Sequence, residues 1–241
     1  IISNMHTLLC LIINPLIFAL FLPLAILSMA LYPKKPFIGL QNFGKLWAKA
    51  SLWVAGVKVV VTGLENIKEE PRIYAANHQS MFDIMISMAI LPVPFHFIAK
   101  ESLFKWPIFG WAMRGAGYFP IDRSSPGDAK RTMDNIAREI SENKASVLIY
   151  QEGTRGLDGK LLPFKKGCAS LAHQTGAIIY PVGIQDSYRI ATKGSLRINP
   201  CTVHIKIGEG FKLEKIPLEQ INATLLNSST KLIQEAVQKL I

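Results

Sequence analysis

The chain has 241 residues, enough to bury one sizeable core without requiring a second domain. It is 49% hydrophobic with a formal net charge of +10 and a mean hydropathy of +0.25, which points to membrane contact and anionic partners. Nucleic acid is not expected as that partner, since no basic stripe interleaved with aromatics occurs, and a metal is not expected either. Cys10, Cys168, Cys201 and the five histidines are scattered, with neither a C-x-x-C pair nor an H-E-x-x-H, and the odd, sparse cysteine count suits a reducing compartment.

Residues 8–31 form an apolar stretch without a charged residue, long enough for one spanning helix. Asn14-Pro15 and Pro23 interrupt it, and Pro33 and Pro36 close it. A kinked single span, a helical hairpin dipping into one leaflet and a buried core helix all fit. The length of the run and the basic residues after it argue against a cleaved signal peptide. Lys34, Lys35, Lys45 and Lys49 place the downstream domain on the cytoplasmic side of a membrane, the inner membrane if the protein is bacterial. Residues 38–55 mix tryptophans with lysines and suit either an interfacial amphipathic helix or a surface helix packed on the domain. Residues 1–55 are therefore expected to be a membrane-anchoring helical segment, and 56–241 a single α/β domain.

In that domain, strands are expected over 57–61, 72–76, 95–99, 118–121, 146–150, 177–184 and 202–207. Helices are expected over 81–91, 126–143, 167–174 and most of 217–240. Residues 102–116 read as helical or irregular, broken by Pro107. Strands alternating with helices predict an α/β fold, a mostly parallel sheet flanked by helices, with membrane-embedded helices at the N-terminus.

The candidate chemistry sits at strand ends. His78 follows the 72–76 strand and Asp83 comes five residues later. Five residues turn a helix by about 140°, so the two meet only if His78 lies in the turn and Asp83 in the first helical turn, with Asn77 or Ser80 as N-cap. Lys100 and Arg123 follow two more strands, and Gln151-Glu152-Gly153-Thr154-Arg155 follows a fourth. A parallel sheet brings such ends to one crevice, joining a proton-accepting imidazole to cations that suit a phosphorylated substrate. Gly153 allows close backbone approach to a phosphate or oxyanion, and Glu152 would orient an arginine or a substrate hydroxyl. Cys168, in a run of small residues, reads as packing rather than as a nucleophile. Ser80 lacks the G-x-S-x-G elbow of hydrolases.

Asn77-His78-Gln79-Ser80-Met81-Phe82-Asp83 resembles the N-H-x4-D motif of the glycerolipid acyltransferase family. Lys100, Leu103, Gly110 and Arg123 are similar to that family's second block. Glu152-Gly153-Thr154-Arg155 resembles the third, followed by Phe164-Lys165-Lys166-Gly167, and Tyr180-Pro181-Val182 resembles the fourth. The resemblance implies transfer of a fatty acyl group from acyl-CoA or acyl-carrier protein to the 2-hydroxyl of 1-acylglycerol-3-phosphate (lysophosphatidic acid), giving phosphatidic acid at the bilayer. It implies His78 as general base, Asp83 as its orienter, and Lys100, Arg123, Gly153, Thr154 and Arg155 as the phosphate pocket. No cofactor is implied. A sister enzyme acting on glycerol-3-phosphate, a lysophospholipid or an aminoacyl lipid is the nearest alternative, and a non-catalytic lipid-binding protein is the alternative of another class.

Overall fold

The computed structural model describes residues 2–241 apart from Pro33, Glu69, Val93, Arg123, Ser124, Thr192 and Lys193, and apart from the side chains of residues 2–5, 30 and 126. Each expected strand forms within a residue or two of its predicted limits: β1 (Lys58–Thr62), β2 (Arg72–Ala76), β3 (His96–Lys100), β4 (Phe119–Ile121), β5 (Val147–Tyr150), β6 (Ile178–Gln185) and β7 (Thr202–Ile207). The helices are α1 (Ile2–Ser28), α2 (Phe37–Val54), α3 (Phe82–Ile90), α4 (Glu101–Phe104), α5 (Phe109–Gly115), α6 (Pro126–Asn143), α7 (Gly167–Thr175) and α8 (Ala223–Gln238).

The strands make one sheet in the order β1-β7-β6-β2-β5-β3-β4. Every neighbouring pair is parallel except β6 with β7. Alternate residues of each central strand enter opposite cores, as the period of two requires. Tyr74, Ala76, Leu148, Tyr180 and Val182 face a core shared with α1, α2, α3 and α5. Ile73, Ala75, Val147, Ile149 and Ile179 face a second one under α6, α7 and α8. Burial on both faces explains why these strands read as continuous apolar runs. Pro181 is tolerated inside β6 because its missing N–H points towards residues 208–211. There the neighbouring chain has left the β7 ladder and returns only Gly208 N–H to Pro181 O and a bridge from Phe211 to Ile179.

The structure makes three local expectations specific. Pro15 and Pro23 do not end the N-terminal helix, and α1 continues through both. It packs antiparallel to α2, with Cys10 Sγ at 3.4 Å from Val54 O and the Phe18 and Trp47 rings 5.5 Å apart. Pro107 separates α4 from α5, as the sequence suggested, and Gly110 then lets α5 fold back on α4. A Cβ at Gly110 would overlap the Phe104 carbonyl, the same oxygen that accepts from Arg114 Nη1 at 2.6 Å. The C-terminal helix starts only at Ala223, where Asn222 Oδ1 accepts from Leu225 N–H at 3.0 Å.

The N-cap expected at Asn77 is also revised. Its side chain turns away from α3 and clamps β6, donating to Ile184 O at 2.9 Å and accepting from Ile184 N–H at 2.7 Å. Both partners are buried, so Asn77→Ala leaves an orphaned donor and acceptor. Chemical unfolding is expected to show a loss of about 2–4 kcal/mol, the cost of two unmade buried hydrogen bonds; a loss below about 1 kcal/mol would remove the clamp from the account.

Candidate active site

β2 and β5 are sheet neighbours whose last residues, Ala76 and Tyr150, are in register. The turns that follow them therefore leave the sheet side by side. Gln151 N–H donates to Ala76 O at 2.9 Å, and Gly156 N–H to His78 O at 2.9 Å. Glu152 joins the two turns by its side chain, accepting from His78 N–H through Oε1 at 2.7 Å and from Leu162 N–H through Oε2 at 2.9 Å. Burial raises the Glu152 pKa above its usual value, and the two backbone donors oppose that shift. Both oxygens are thus occupied in holding backbone. Glu152 itself is not among the residues that line the cavity described below.

With its main chain held on both sides, His78 points its ring along α3. Nδ1 lies 2.7 Å from Asp83 Oδ2, and the Asp83 side chain is fully buried while that of His78 is 14% exposed. The same Oδ2 accepts from Gln79 N–H at 2.7 Å and Ser80 N–H at 2.8 Å. Asp83 sits in the first turn of α3, where the helix dipole favours a carboxylate. The Tyr150 ring stacks on the imidazole at 4.3 Å and 19°, and its hydroxyl lies 3.0 Å from Ser87 Oγ. Nδ1 is thereby committed to Asp83, while Nε2 makes no hydrogen bond to a described residue. Such an imidazole can take a proton at Nε2 and share the resulting charge with the carboxylate.

His78 opens onto a cavity of about 480 Å³. Lys100, Thr154 and Arg155 line it beside the histidine. The rest of its wall is apolar: Phe18 and Phe21 of α1, Trp47 of α2, Met85 of α3, and Phe109 and Met113 of α5 among others. Leu103, from the second sequence block, is also in that wall. Of the predicted site residues, the fold therefore gathers His78, Asp83, Lys100, Thr154 and Arg155. Gly153 shapes the turn at φ +67°, with the Lys165 stem packed over it. Arg123, two residues beyond β4, lies outside the described residues. Tyr180-Pro181-Val182 is core and does not reach the cavity. Two roles were missed from sequence, the Tyr150 platform and the Glu152 tie. Their one sequence signal is position, the last residue of a strand and the second residue of the turn after it.

Cys168 is buried in α7 and does not line the cavity. Burial pushes its thiol pKa up to about 12, so it is not a nucleophile at neutral pH. Among the described residues no group of three or more His, Cys, Asp or Glu side chains is placed to hold a metal ion.

A family model described as Acyltransferase matches residues 58–185. A 1-acyl-sn-glycerol-3-phosphate acyltransferase from Cocos nucifera is 32% identical over 180 residues, covering 75% of this chain and 58% of that protein. One from Pseudomonas aeruginosa is 30% identical over 193 residues, covering 78% and 74% respectively. The chain thus spans little more than half the length of the plant relative. The crystal structure of the 1-acyl-sn-glycerophosphate (LPA) acyltransferase PlsC from Thermotoga maritima superposes with a TM-score of 0.81 at 26% identity, covering 98% of this chain and 93% of that one. The family match contains the His78–Asp83 turn and the turn after β5, and the shared fold extends through α1 and α2. The chain belongs to the Acyltransferase family.

Proposed function

We propose that the protein transfers a fatty acyl group from a thioester to the 2-hydroxyl of 1-acylglycerol-3-phosphate, forming phosphatidic acid. The observation that carries this reading is a carboxylate-held imidazole at the junction of cations and an apolar cavity. An alcohol is a poor nucleophile, whereas a thiolate leaves readily, so the help needed is a base. His78 Nε2 takes the hydroxyl proton as the oxygen attacks the thioester carbonyl, and Asp83 stabilises the imidazolium. The C–S bond then breaks and the proton passes to the departing thiolate. Arg155, Lys100 and Arg123 bind the acceptor phosphate, with Gly153 and Thr154 shaping that pocket. Acyl-CoA and acyl-carrier protein both satisfy the chemistry of the donor.

The membrane supplies the acceptor and receives the product. Among the described residues, α1 carries one segment long and apolar enough to span a membrane, His6–Ser28, with a mean hydropathy of 2.5 and little of it buried. Leu16, Leu20, Leu24 and Leu27 form an exposed stripe along it at helical spacing, and Leu31, just past its end, is exposed as well. We assign residues 1–55 to membrane anchoring, although α1 and α2 also contribute to the core against the sheet. Lys34, Lys35 and Lys49 support a cytoplasmic position for the α/β domain. Lys45 does not count towards it, because its Nζ caps Leu91 O at 2.8 Å.

His78→Ala is expected to lower kcat by about 10²–10⁴-fold, the usual worth of a positioned base, with an unchanged circular dichroism spectrum. Near-normal turnover would overturn the mechanism. Arg155→Met and Arg123→Met are each expected to raise the KM for the phosphorylated acceptor by about 10- to 100-fold, the weight of one charge-assisted hydrogen bond. An unchanged KM and kcat would remove that residue from the phosphate pocket. Cys168→Ala should retain turnover within about twofold, since a buried thiol held protonated takes no part in direct transfer; loss of a burst of thiol release in that variant would instead favour an acyl-enzyme.

A further inference from the structure

The turn between α4 and α5 is built in a way that water does not reward. Trp106 and Ile108 are each 59% exposed, and Trp111, one turn on, is exposed as well. Among the described residues, three non-glycine residues have positive φ: Ile108, Lys144 and Asp186. Lys144 and Asp186 lie in the left-handed helical region at the edges of helical segments. Ile108, at φ 60° and ψ −56°, is outside it, in a γ-turn closed by Phe109 N–H on Pro107 O. That conformation is strained for any side chain and most of all for a β-branched one. The strain presents an isoleucine outwards beside a tryptophan.

The surroundings say what lies outside. Trp106 is largely exposed and also lines the cavity, so it stands at the cavity's rim. Phe109, next along, touches Trp106 at 6.2 Å between ring centroids and Phe18 of α1 at 5.9 Å. The patch is therefore continuous with α1, whose outer face is the leucine stripe. Lys100 and Lys105 flank the turn, Lys105 in an exposed pair with Glu101 at 3.2 Å. Tryptophan beside lysine next to an apolar surface is the composition of a membrane–water interface.

We propose that the α4–α5 turn is a second membrane-contacting element, separate from α1, which inserts Trp106, Ile108 and Trp111 into the bilayer surface. It holds the cavity rim against the lipid, so that acyl chains pass between bilayer and cavity beside Trp106 without crossing water. The occupant is the bilayer itself, and the assignment rests on the acyl-transfer reading above only for that purpose.

The test has one arm that needs no turnover. A polarity-sensitive fluorophore is attached at Ile108→Cys in a Cys201→Ser background, in full-length protein reconstituted into phosphatidylcholine–phosphatidylglycerol vesicles. The expected result is blue-shifted emission, quenching by lipids brominated on their acyl chains, and about fivefold less quenching by aqueous iodide than the same probe at Leu196→Cys, as burial at the acyl boundary implies. Leu196 is 76% exposed, in the loop before β7. Equal iodide quenching at the two positions would overturn the proposal, whatever the enzyme's activity. In the second arm, Ile108→Asp is expected to slow acylation of a long-chain acceptor presented in vesicles by about tenfold, while turnover of a short-chain, water-soluble acceptor stays within about twofold. Equal loss on both acceptors would make the turn a structural part of the cavity, and loss on neither would make it idle; either result overturns the proposal.

Discussion

One buried carboxylate oxygen organises the site. Asp83 Oδ2 takes the imidazole Nδ1 and two backbone N–H groups within 2.7–2.8 Å. Away from water such charge-assisted bonds are short and strong, and an unpaired carboxylate there would be costly. The three donors come from consecutive residues, His78, Gln79 and Ser80, so the oxygen closes the turn and aims the ring in one act. Turn geometry and imidazole orientation are therefore not independent.

A second constraint comes from the sheet. His78 is held from below by Tyr150 and from the side by Glu152, both at the end of β5. These contacts exist because Ala76 and Tyr150 are in register. A shift of one residue between β2 and β5 would turn Tyr150 to the opposite face and carry Glu152 away from the His78 amide. The parallel register is thus part of what positions His78.

The cavity explains why the N-terminal helices belong to the same body as the sheet. Phe18 and Trp47 line it together with His78, so α1 and α2 contribute wall as well as exposed apolar surface. Its polar lining, Lys100, Thr154 and Arg155 beside His78, comes from strand ends and the turns after them, while most of its apolar lining comes from the helices, with Phe97, Ile98 and Ala99 of β3 adding to it.

How much of this is legible in the sequence depends on the range of the contact. The strands were legible because both faces of the central ones are buried, which leaves runs such as Val147–Tyr150 without polar interruption. His78 and Asp83 were legible as a pair because their five-residue spacing admits one local geometry in which they meet. The prolines of α1 left a kinked span, a hairpin and a core helix open, because whether a helix continues through proline depends on what packs beside it, and here α2 lies alongside. Glu152 was read as orienting an arginine or a substrate hydroxyl, and the partners it has in the fold, the His78 and Leu162 amides, are set by how two turns abut. The Tyr150 platform and the Asn77 clamp on Ile184 likewise join residues 72 and 107 positions apart. By itself, then, the sequence determined the strands, the family blocks and the histidine–aspartate pair, all products of local pattern. Only the tertiary structure decided what holds that pair in place and how the cavity meets it, because those depend on strand register and helix packing, which place distant residues in contact.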